Sequence, residues 1–144
     1  MQILVLYGPN LNLLGLVSRG TGARLSLDKL DRALRRRAHD LCVDLKIFQK
    51  QSEAEASKII QRQRNKVDGV LLVPGIWART GHLIRETAAI TRLPLAVFHM
   101  ELEKGPWDYR EDSVFKEAAV FEEKGAAPEE LAAFLERFVT RLTS

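Results

Sequence analysis

The residues that could do chemistry in this 144-residue chain begin with two asparagines, Asn10 and Asn12, in the segment GPNLNLLG at positions 8–15. The glycine and proline break the apolar run before them, so both amides follow the end of a predicted strand. Asparagines in such turns often bind their own backbone. An amide placed here can also act as a neutral donor to a developing oxyanion. The motif alone leaves both interpretations open.

His99 follows a later apolar run in the same way, and Arg110 comes eleven residues after it. A histidine at a strand end is either a hydrogen-bonded structural residue or a general acid or base, since imidazole titrates near neutral pH. Three further side chains are candidate bases: Glu53, Glu101 and Tyr109. Tyr109 precedes Arg110, and a neighbouring cation stabilises a phenolate.

Several other kinds of site are disfavoured. No His, Cys, Asp and Glu set has metal-ligand spacing. The chain lacks a Gly-Lys-Ser/Thr phosphate loop, and Gly20-x-Gly22 lacks the third glycine of a dinucleotide fingerprint. The arginines at 35–37 lie in a helical stretch with aspartates and no interleaved aromatic residues, which favours a solvated helix face. We therefore expect no metal, no cofactor and no nucleic-acid partner.

The elements that must position these residues alternate between short apolar runs and longer amphipathic segments. Strands are predicted at residues 3–7, 43–48, 69–73, 95–98 and 118–121, and helices at 26–41, 52–65, 80–91 and 128–142, with a short helical piece at 113–116. Ser26 and Ser52 are the predicted N-caps of the first two helices. The alternation predicts an α/β fold with a parallel sheet covered on both faces. Ligands of such sheets bind beyond the carboxyl ends of the strands.

Composition and length predict a single cytoplasmic domain. Hydrophobic residues make up 46% and charged residues 28%, which is ordinary for a globular protein. The longest apolar run, residues 69–74, is too short to cross a membrane, and no secretory leader is apparent. The one cysteine, Cys42, cannot form an internal disulfide and is predicted to be a small buried hydrophobe.

The motif at 8–15 resembles the opening signature of the type II 3-dehydroquinate dehydratases, a family of the shikimate pathway. The resemblance covers nearly the whole chain and implies a single domain of this family over residues 1–144. It includes Phe48-Gln49 before Glu53, Asp68-Gly69 before Pro74-Gly75, and the spacing of Pro94, His99 and Arg110. It implies a flavodoxin-like three-layer sandwich with a five-stranded parallel sheet in the order 2-1-3-4-5.

The resemblance also implies an activity. In this family a tyrosinate on a lid removes a proton next to a ketone, an asparagine holds the resulting enolate through a water, and a histidine protonates the departing hydroxyl. No metal or cofactor takes part. Asn10 and His99 match the catalytic asparagine and histidine, while Asn12 and Arg110 match substrate-binding positions. Glu86 matches an acid that reaches a neighbouring subunit's site in a trimer, which is often stacked into a dodecamer.

This chain departs from the family pattern in the lid. The segment 16–24 reads LVSRGTGAR and contains Arg19, Gly22 and Arg24. Gly22 stands where the resemblance places the tyrosine base, and Val17 where it places an arginine. A general base contributes roughly 10²–10⁴-fold to a rate, so its loss predicts reduced activity or a changed substrate.

The loops after the third and fourth strands depart as well. Trp77 and Arg79 fall in the first loop, and Glu101 and Leu102 occupy positions that normally bind the substrate carboxylate. Trp77 predicts an apolar wall, Arg79 with Arg110 favours an anion, and Glu101 favours a cationic feature on the same ligand.

Three functions therefore stay open. The first is a cofactor-independent lyase acting on a small cyclic polar substrate. The second is a non-catalytic pseudoenzyme that binds or senses a small molecule on the same oligomeric scaffold. The third is an assembly subunit with an occluded pocket.

Overall fold

The computed structural model of the protein describes residues 1–19, 24–102, 106–107 and 109–144. Within these residues, parallel strands form one sheet in the order β2-β1-β3-β4-β5. The strands are β1 (Gln2–Tyr7), β2 (Asp44–Gln49), β3 (Gly69–Val73), β4 (Leu95–Met100) and β5 (Phe121–Gly125). The predicted α/β class and strand order are confirmed.

Helices cover both faces of the sheet. They are α1 (Leu14–Val17), α2 (Leu27–Leu41), α3 (Glu53–Gln63), α4 (Trp77–Thr80), α5 (His82–Thr91) and α6 (Pro128–Thr143), with 3-10 turns at Leu11–Leu13 and Arg110–Asp112. α2 packs beside α6 on one face, and α3 packs beside α5 on the other. Among the described residues, no helix is long and apolar enough to cross a membrane.

Both predicted N-caps are confirmed. The Ser26 hydroxyl accepts the Lys29 backbone N–H at 3.2 Å, and the Ser52 hydroxyl accepts the Ala54 backbone N–H at 3.1 Å. Each serine thereby satisfies a backbone donor that the first helical turn leaves without a partner. These caps fix where α2 and α3 begin, and so fix the lengths of the loops that join them to β1 and β2.

Two apolar clusters hold the layers together. One joins the sheet to α2 and α6 and includes Val5, Phe98 and Phe134. The other joins the sheet to α3 and α5 and includes Leu6 and Val97. β3 is buried along its whole length because β1 and β4 flank it and helices cover both faces.

Four predictions about local structure were wrong. The helix expected at 80–91 begins two residues later, at His82, because Thr80 ends α4 and Gly81 lies between the two helices, where an added Cβ would lie 2.6 Å from Phe115 Cζ. Residues 113–116 form turns rather than a helix. The strand expected at 118–121 begins only at Phe121, because the Ala118 and Ala119 amides close a turn on the Phe115 carbonyl.

Cys42 is the fourth correction, since it is exposed rather than buried. It is the C-cap of α2 in the left-handed conformation, with φ 57°. Its N–H closes the helix end on the His39 carbonyl at 3.2 Å. The backbone requirement of the cap therefore decides its position, and its side chain is left at the surface.

Candidate functional site

Asn10 lies just beyond the carboxyl end of β1, at the turn predicted from the GPN motif. The chain leaves the strand at Gly8, whose N–H binds the Val73 carbonyl of β3 at 2.8 Å. Asn10 then adopts the left-handed conformation with φ 67°, which asparagine tolerates better than most residues. Its side chain is exposed at the sheet edge, as a ligand-binding amide must be.

A network of amide side chains from the loop after β2 holds this turn. The Asn10 backbone N–H donates to Gln51 Oε1 at 2.9 Å, and Gln51 Nε2 donates to Asn10 Oδ1 at 3.3 Å. Gln49 Nε2 donates to the Gly8 carbonyl at 3.0 Å and to Gln51 Oε1 at 2.9 Å. The ends of β1 and β2 are thus joined by side chains as well as by the sheet.

His99 lies near the carboxyl end of β4 and is 3% exposed. Its Nε2 is 2.8 Å from Glu122 Oε2. Glu122 pairs with Val97 in the register of β4 and β5, so its side chain lies on the same face of the sheet as His99. The Ser113 hydroxyl also donates to Glu122 Oε2. A buried histidine, a buried hydroxyl and a partly buried carboxylate therefore form one hydrogen-bonded group.

The charge state of Glu122 follows from these contacts. Burial alone would raise its pKa, but the hydrogen bonds from His99 and Ser113, and the nearby Arg110 guanidinium, outweigh burial and lower the pKa. An ionised carboxylate can only accept, so His99 Nε2 carries the proton. Glu122 therefore selects one tautomer of the imidazole and leaves Nδ1 as its other reactive nitrogen.

Asn10 and His99 approach the same edge of the sheet from strands on either side of β3. Tyr7 pairs with Val73 in β3, and Leu72 pairs with Val97 in β4, so the two residues lie at similar heights. With strands about 4.8 Å apart, two strand steps separate their backbones by about 10 Å. This is a span that a small cyclic ligand can bridge.

The arginines predicted to bind an anion have partners within the chain. Arg79 Nη2 lies 3.1 Å from Asp112 Oδ2, and its guanidinium lies 5.6 Å from the centre of the Tyr109 ring. Arg110 Nη1 lies 3.5 Å from Glu111 Oε1, while Arg110 Nε is buried and has no hydrogen-bond partner among the described residues. Of these two arginines, Arg110 is therefore the one with an N–H donor, at Nε, that has no partner among the described residues.

The loop after β4 also pairs its charge internally. Glu101 Oε2 lies 3.1 Å from Lys124 Nζ. The carboxylate therefore has a cation from β5 and does not by itself require a cationic ligand. Leu102 packs against the core below α2 and α6. Trp77 is 2% exposed and packs against Gly8, where an added Cβ would lie 3.1 Å from the indole.

The remaining predicted residues lie on other elements and share no contact with one another among the described residues. Asn12 is exposed in the first 3-10 turn, Glu53 begins α3, and Glu86 lies on α5 beside an open groove of about 460 Å³. Arg19 and Arg24, both in the lid segment, are exposed. Gly22 lies outside the described residues.

Three functional residues were not anticipated from the sequence: Ser113, Glu122 and Gln51. Glu122 was placed beyond the fifth strand, because that strand was predicted to end at residue 121. The available signal is the adjacent pair Glu122-Glu123, since neighbouring residues of a strand face opposite sides and one of the two must face inward. Nothing in the sequence distinguishes Gln51 from other exposed glutamines.

Comparisons with known proteins agree with this fold. A family model described as Dehydroquinase class II matches residues 1–137. The 3-dehydroquinate dehydratase of Geotalea daltonii is 37% identical over 100 residues, covering 69% of each chain. That of Halothermothrix orenii is 29% identical over 138 residues, covering 96% of this chain and 93% of the relative. The type II dehydroquinase structure from Butyrivibrio crossotus has a TM-score of 0.81 at 20% identity, covering 100% of this chain and 98% of that one.

Proposed function

Since the chain belongs to the class II dehydroquinase family, we propose that it is a cofactor-independent lyase that dehydrates a small cyclic polar ketone. The substrate class is inferred from relatives named 3-dehydroquinate dehydratase. The observation that carries the proposal is the buried His99–Glu122 pair at the sheet edge that also presents Asn10. A buried, oriented imidazole and an exposed amide at the same end of the sheet are a suitable pair for acid catalysis and oxyanion stabilisation.

The proposed reaction begins when a base removes a proton from the carbon next to the ketone. The electron pair moves onto oxygen, and Asn10 donates a hydrogen bond toward the enolate. The enolate then re-forms the carbonyl, a carbon–carbon double bond forms, and the carbon–oxygen bond of the leaving hydroxyl breaks. His99 supplies the proton with which that hydroxyl leaves as water, and Glu122 stabilises the imidazolium before the transfer.

We propose Tyr109 as the base, because the lid segment 16–24 contains no tyrosine. The Arg79 guanidinium lies 5.6 Å from the centre of the Tyr109 ring, so a cation lies beside the proposed base. The other candidates have structural roles: Glu101 binds Lys124, and Glu53 lies in the first turn of α3, where a carboxylate stabilises the helix dipole. A base in this different place is the reason to expect slower turnover or a changed substrate.

The test is to incubate the protein with 3-dehydroquinate and follow enone absorbance. We expect slow formation of the enone, and His99→Asn, Asn10→Ala and Tyr109→Phe should each lower kcat by about 10²-fold or more. His39→Asn is the matched control, because this histidine is exposed on α2 far from the sheet edge. Turnover that survives His99→Asn unchanged would rule out the proposed acid.

A non-catalytic small-molecule-binding function is the second candidate. It is favoured by the internal ion pairs of Arg79 and Glu101, which leave fewer charged groups to hold a polar substrate. A thermal-shift series with cyclic acids, amino acids and phosphates separates the two, since a ligand of the folded state raises the midpoint whether or not it reacts. Stabilisation by 3-dehydroquinate without enone formation would support this candidate over the lyase.

We also propose that the protein is a homo-oligomer, a trimer or a dodecamer built from trimers. In support, α5 presents Glu86 between two exposed apolar residues, Leu83 and Ile90. An acid on a face that another subunit covers could reach that subunit's ligand.

A further inference from the structure

We infer that Gln51 is a positioning residue that fixes the direction of the Asn10 side-chain amide, so that Asn10 Nδ2 faces outward as a hydrogen-bond donor. An asparagine amide has a donor end and an acceptor end of nearly the same shape. Only the donor end stabilises an oxyanion. The direction of this amide therefore decides whether Asn10 can assist the proposed reaction, and that consequence rests on the proposed function.

The direction is set first by a group that cannot reverse. The Asn10 backbone N–H is always a donor, so Gln51 must present its oxygen to it, as Oε1 does at 2.9 Å. Gln49 reinforces this choice. Its Nε2 donates to the Gly8 carbonyl, which is always an acceptor, and to Gln51 Oε1 at 2.9 Å, with the Lys50 carbonyl as a longer third acceptor at 3.3 Å. Two donors thus meet at one oxygen of Gln51.

The second step follows from the geometry of a primary amide. With Oε1 held by two donors, Gln51 Nε2 is the end left to face the Asn10 side chain, and it donates to Oδ1 at 3.3 Å. Asn10 Oδ1 is therefore the acceptor end. Asn10 Nδ2 points the other way and donates to no group in the part of the chain that the structure describes.

The backbone of the turn keeps this arrangement in place. Asn10 is held in the left-handed conformation with φ 67°. Gly8 is packed so closely against Pro74 that its Cα has no room for a side chain. The outward donor is consequently presented from a rigid base, which is the condition under which a single hydrogen bond contributes most to an oxyanion-binding site.

Gln51→Glu tests the inference, because a carboxylate has the same shape but no donor. Its oxygens still accept from the Asn10 backbone and from Gln49, but Asn10 must now turn its Nδ2 toward residue 51. Gln61→Glu is the matched control: it makes the same chemical change on α3, where Gln61 contacts Ser57 instead of the turn. Gln51→Ala is the second variant, since it removes the contact without reversing it.

The first readout is the hydrogen exchange of side-chain amides followed by NMR, which needs no turnover. In the unmodified protein, the Asn10 side-chain amide should exchange several-fold faster than those of Gln49 and Gln51. Gln51→Glu should slow the Asn10 exchange, whereas Gln61→Glu should leave it unchanged. An Asn10 amide that is already the slowest of the three, or that does not respond to Gln51→Glu, overturns the inference.

The second readout is the kinetic effect on any enone formation. Gln51→Glu should lower kcat by about 10²–10³-fold, the effect of losing one oxyanion donor, with little change in KM. Gln51→Ala should give a smaller loss, because Asn10 can still sample the productive direction. If exchange behaves as expected while the unmodified protein turns over no substrate, the lyase proposal fails and the orientation of Asn10 stands. A raised KM with unchanged kcat contradicts the role of Gln51.

Discussion

Glu122 keeps a negative charge in a place where few contacts with water remain, its side chain being 11% exposed. The group can stay ionised because His99 and Ser113 both donate to it. Burying a carboxylate without such partners costs several kcal/mol. Leaving its partners buried after the carboxylate is removed costs a similar amount of stability. The group therefore stabilises the fold only as a complete set.

Replacing Glu122 with alanine should lower the free energy of unfolding by about 3 kcal/mol, because His99 and Ser113 lose their shared acceptor in a buried place. Urea denaturation at neutral pH measures the loss. Glu123→Gln is the control on the same strand. Its pair with Arg137 is half exposed, so it should change stability by less than about 1 kcal/mol. Equal losses in the two variants would contradict the buried pair.

The same contact predicts a pH dependence. The pKa of Glu122 is lower in the folded state than the ordinary value of 4.5, so its contribution to stability is complete above that value. The contribution is lost as the pH falls through the folded-state pKa. Urea midpoints measured between neutral and acidic pH should therefore decline more steeply for the unmodified protein than for Glu122→Gln. Parallel curves would exclude this group as a source of acid lability.

Asp31 is the opposite case. Its Oδ1 and the hydroxyl of Tyr7 are both buried without a hydrogen-bond partner of good geometry among the described residues. Burial raises the pKa of Asp31, and although the Tyr7 hydroxyl and the Arg35 guanidinium oppose this effect, burial together with Asp28 outweighs them. Burial and the Asp31 carboxylate also raise the pKa of Tyr7. Both groups destabilise the fold in their ionised forms.

Asp31→Asn should accordingly raise the free energy of unfolding at pH 7 by about 1 kcal/mol, since a charge no longer has to be partly buried. The penalty is complete only above the raised folded-state pKa of Asp31, so the gain should shrink as the pH falls through that pKa toward the ordinary value of 3.8, and should be absent below 3.8. Urea denaturation of both proteins at pH 7 and at a pH below 3.8 measures the difference in the free energy of unfolding. Asp28→Asn, in an exposed pair with Arg32, should change stability by under about 0.5 kcal/mol.

At the scale of elements, Gly8 determines how closely β1 and β3 approach where they end. An added Cβ would lie 2.1 Å from the Pro74 carbonyl oxygen. Backbone atoms cannot move away independently of their strand, so a side chain here would push the two strand ends apart. The Asn10 turn leaves β1 directly after this point.

Gly8→Ala should therefore lower the free energy of unfolding by about 2 kcal/mol or more. It should also weaken ligand binding through displacement of Asn10. Gly15→Ala is the matched control in α1, where an added Cβ meets its nearest neighbour, the Leu25 carbonyl, at an ordinary 3.7 Å. That variant should be neutral or slightly stabilising, because alanine favours a helix. Thermal denaturation of both variants makes the comparison.

The elements also show what sequence alone can predict. β3 was placed correctly because it is a continuous apolar run between turn residues, and α2 because Ser26 and a regular apolar face mark it. β5 was misplaced because an edge strand buries little. Its sequence, FEEKG, is mostly polar, and the more apolar residues before it form a turn. Asn10 and His99 followed from motifs, whereas Glu122 depended on the register of that misplaced strand.

At the scale of the whole molecule, the outer face of α5, with Leu83 and Ile90, is an exposed apolar surface that a second subunit would bury. Ile90 is 72% exposed and Leu83 is 45% exposed. Both lie on one face of the helix, with Glu86 between them. Exposed apolar residues that share a face commonly mark an interface. The proposed oligomer would bury both.

We expect light scattering to give a multiple of the 16.3 kDa chain mass, three-fold or twelve-fold. Ile90→Asp should shift the protein toward the monomer, since a charge cannot be buried in an apolar interface without a partner. Leu16→Asp, at a residue of α1 that is 57% exposed, is the control and should leave the mass unchanged. A protein that is monomeric without substitution would remove the proposed role of Glu86.

The pair of Glu122 and His99 has a mechanical consequence. β5 is one of the two edge strands, hydrogen-bonded to the sheet on one side only, and the Glu122–His99 pair also joins it to β4 through side chains. Protonation of the Glu122 carboxylate weakens this contact between β5 and β4. Acid should therefore loosen this margin of the sheet before the centre, so that the histidine loses its orientation while most of the molecule is still folded.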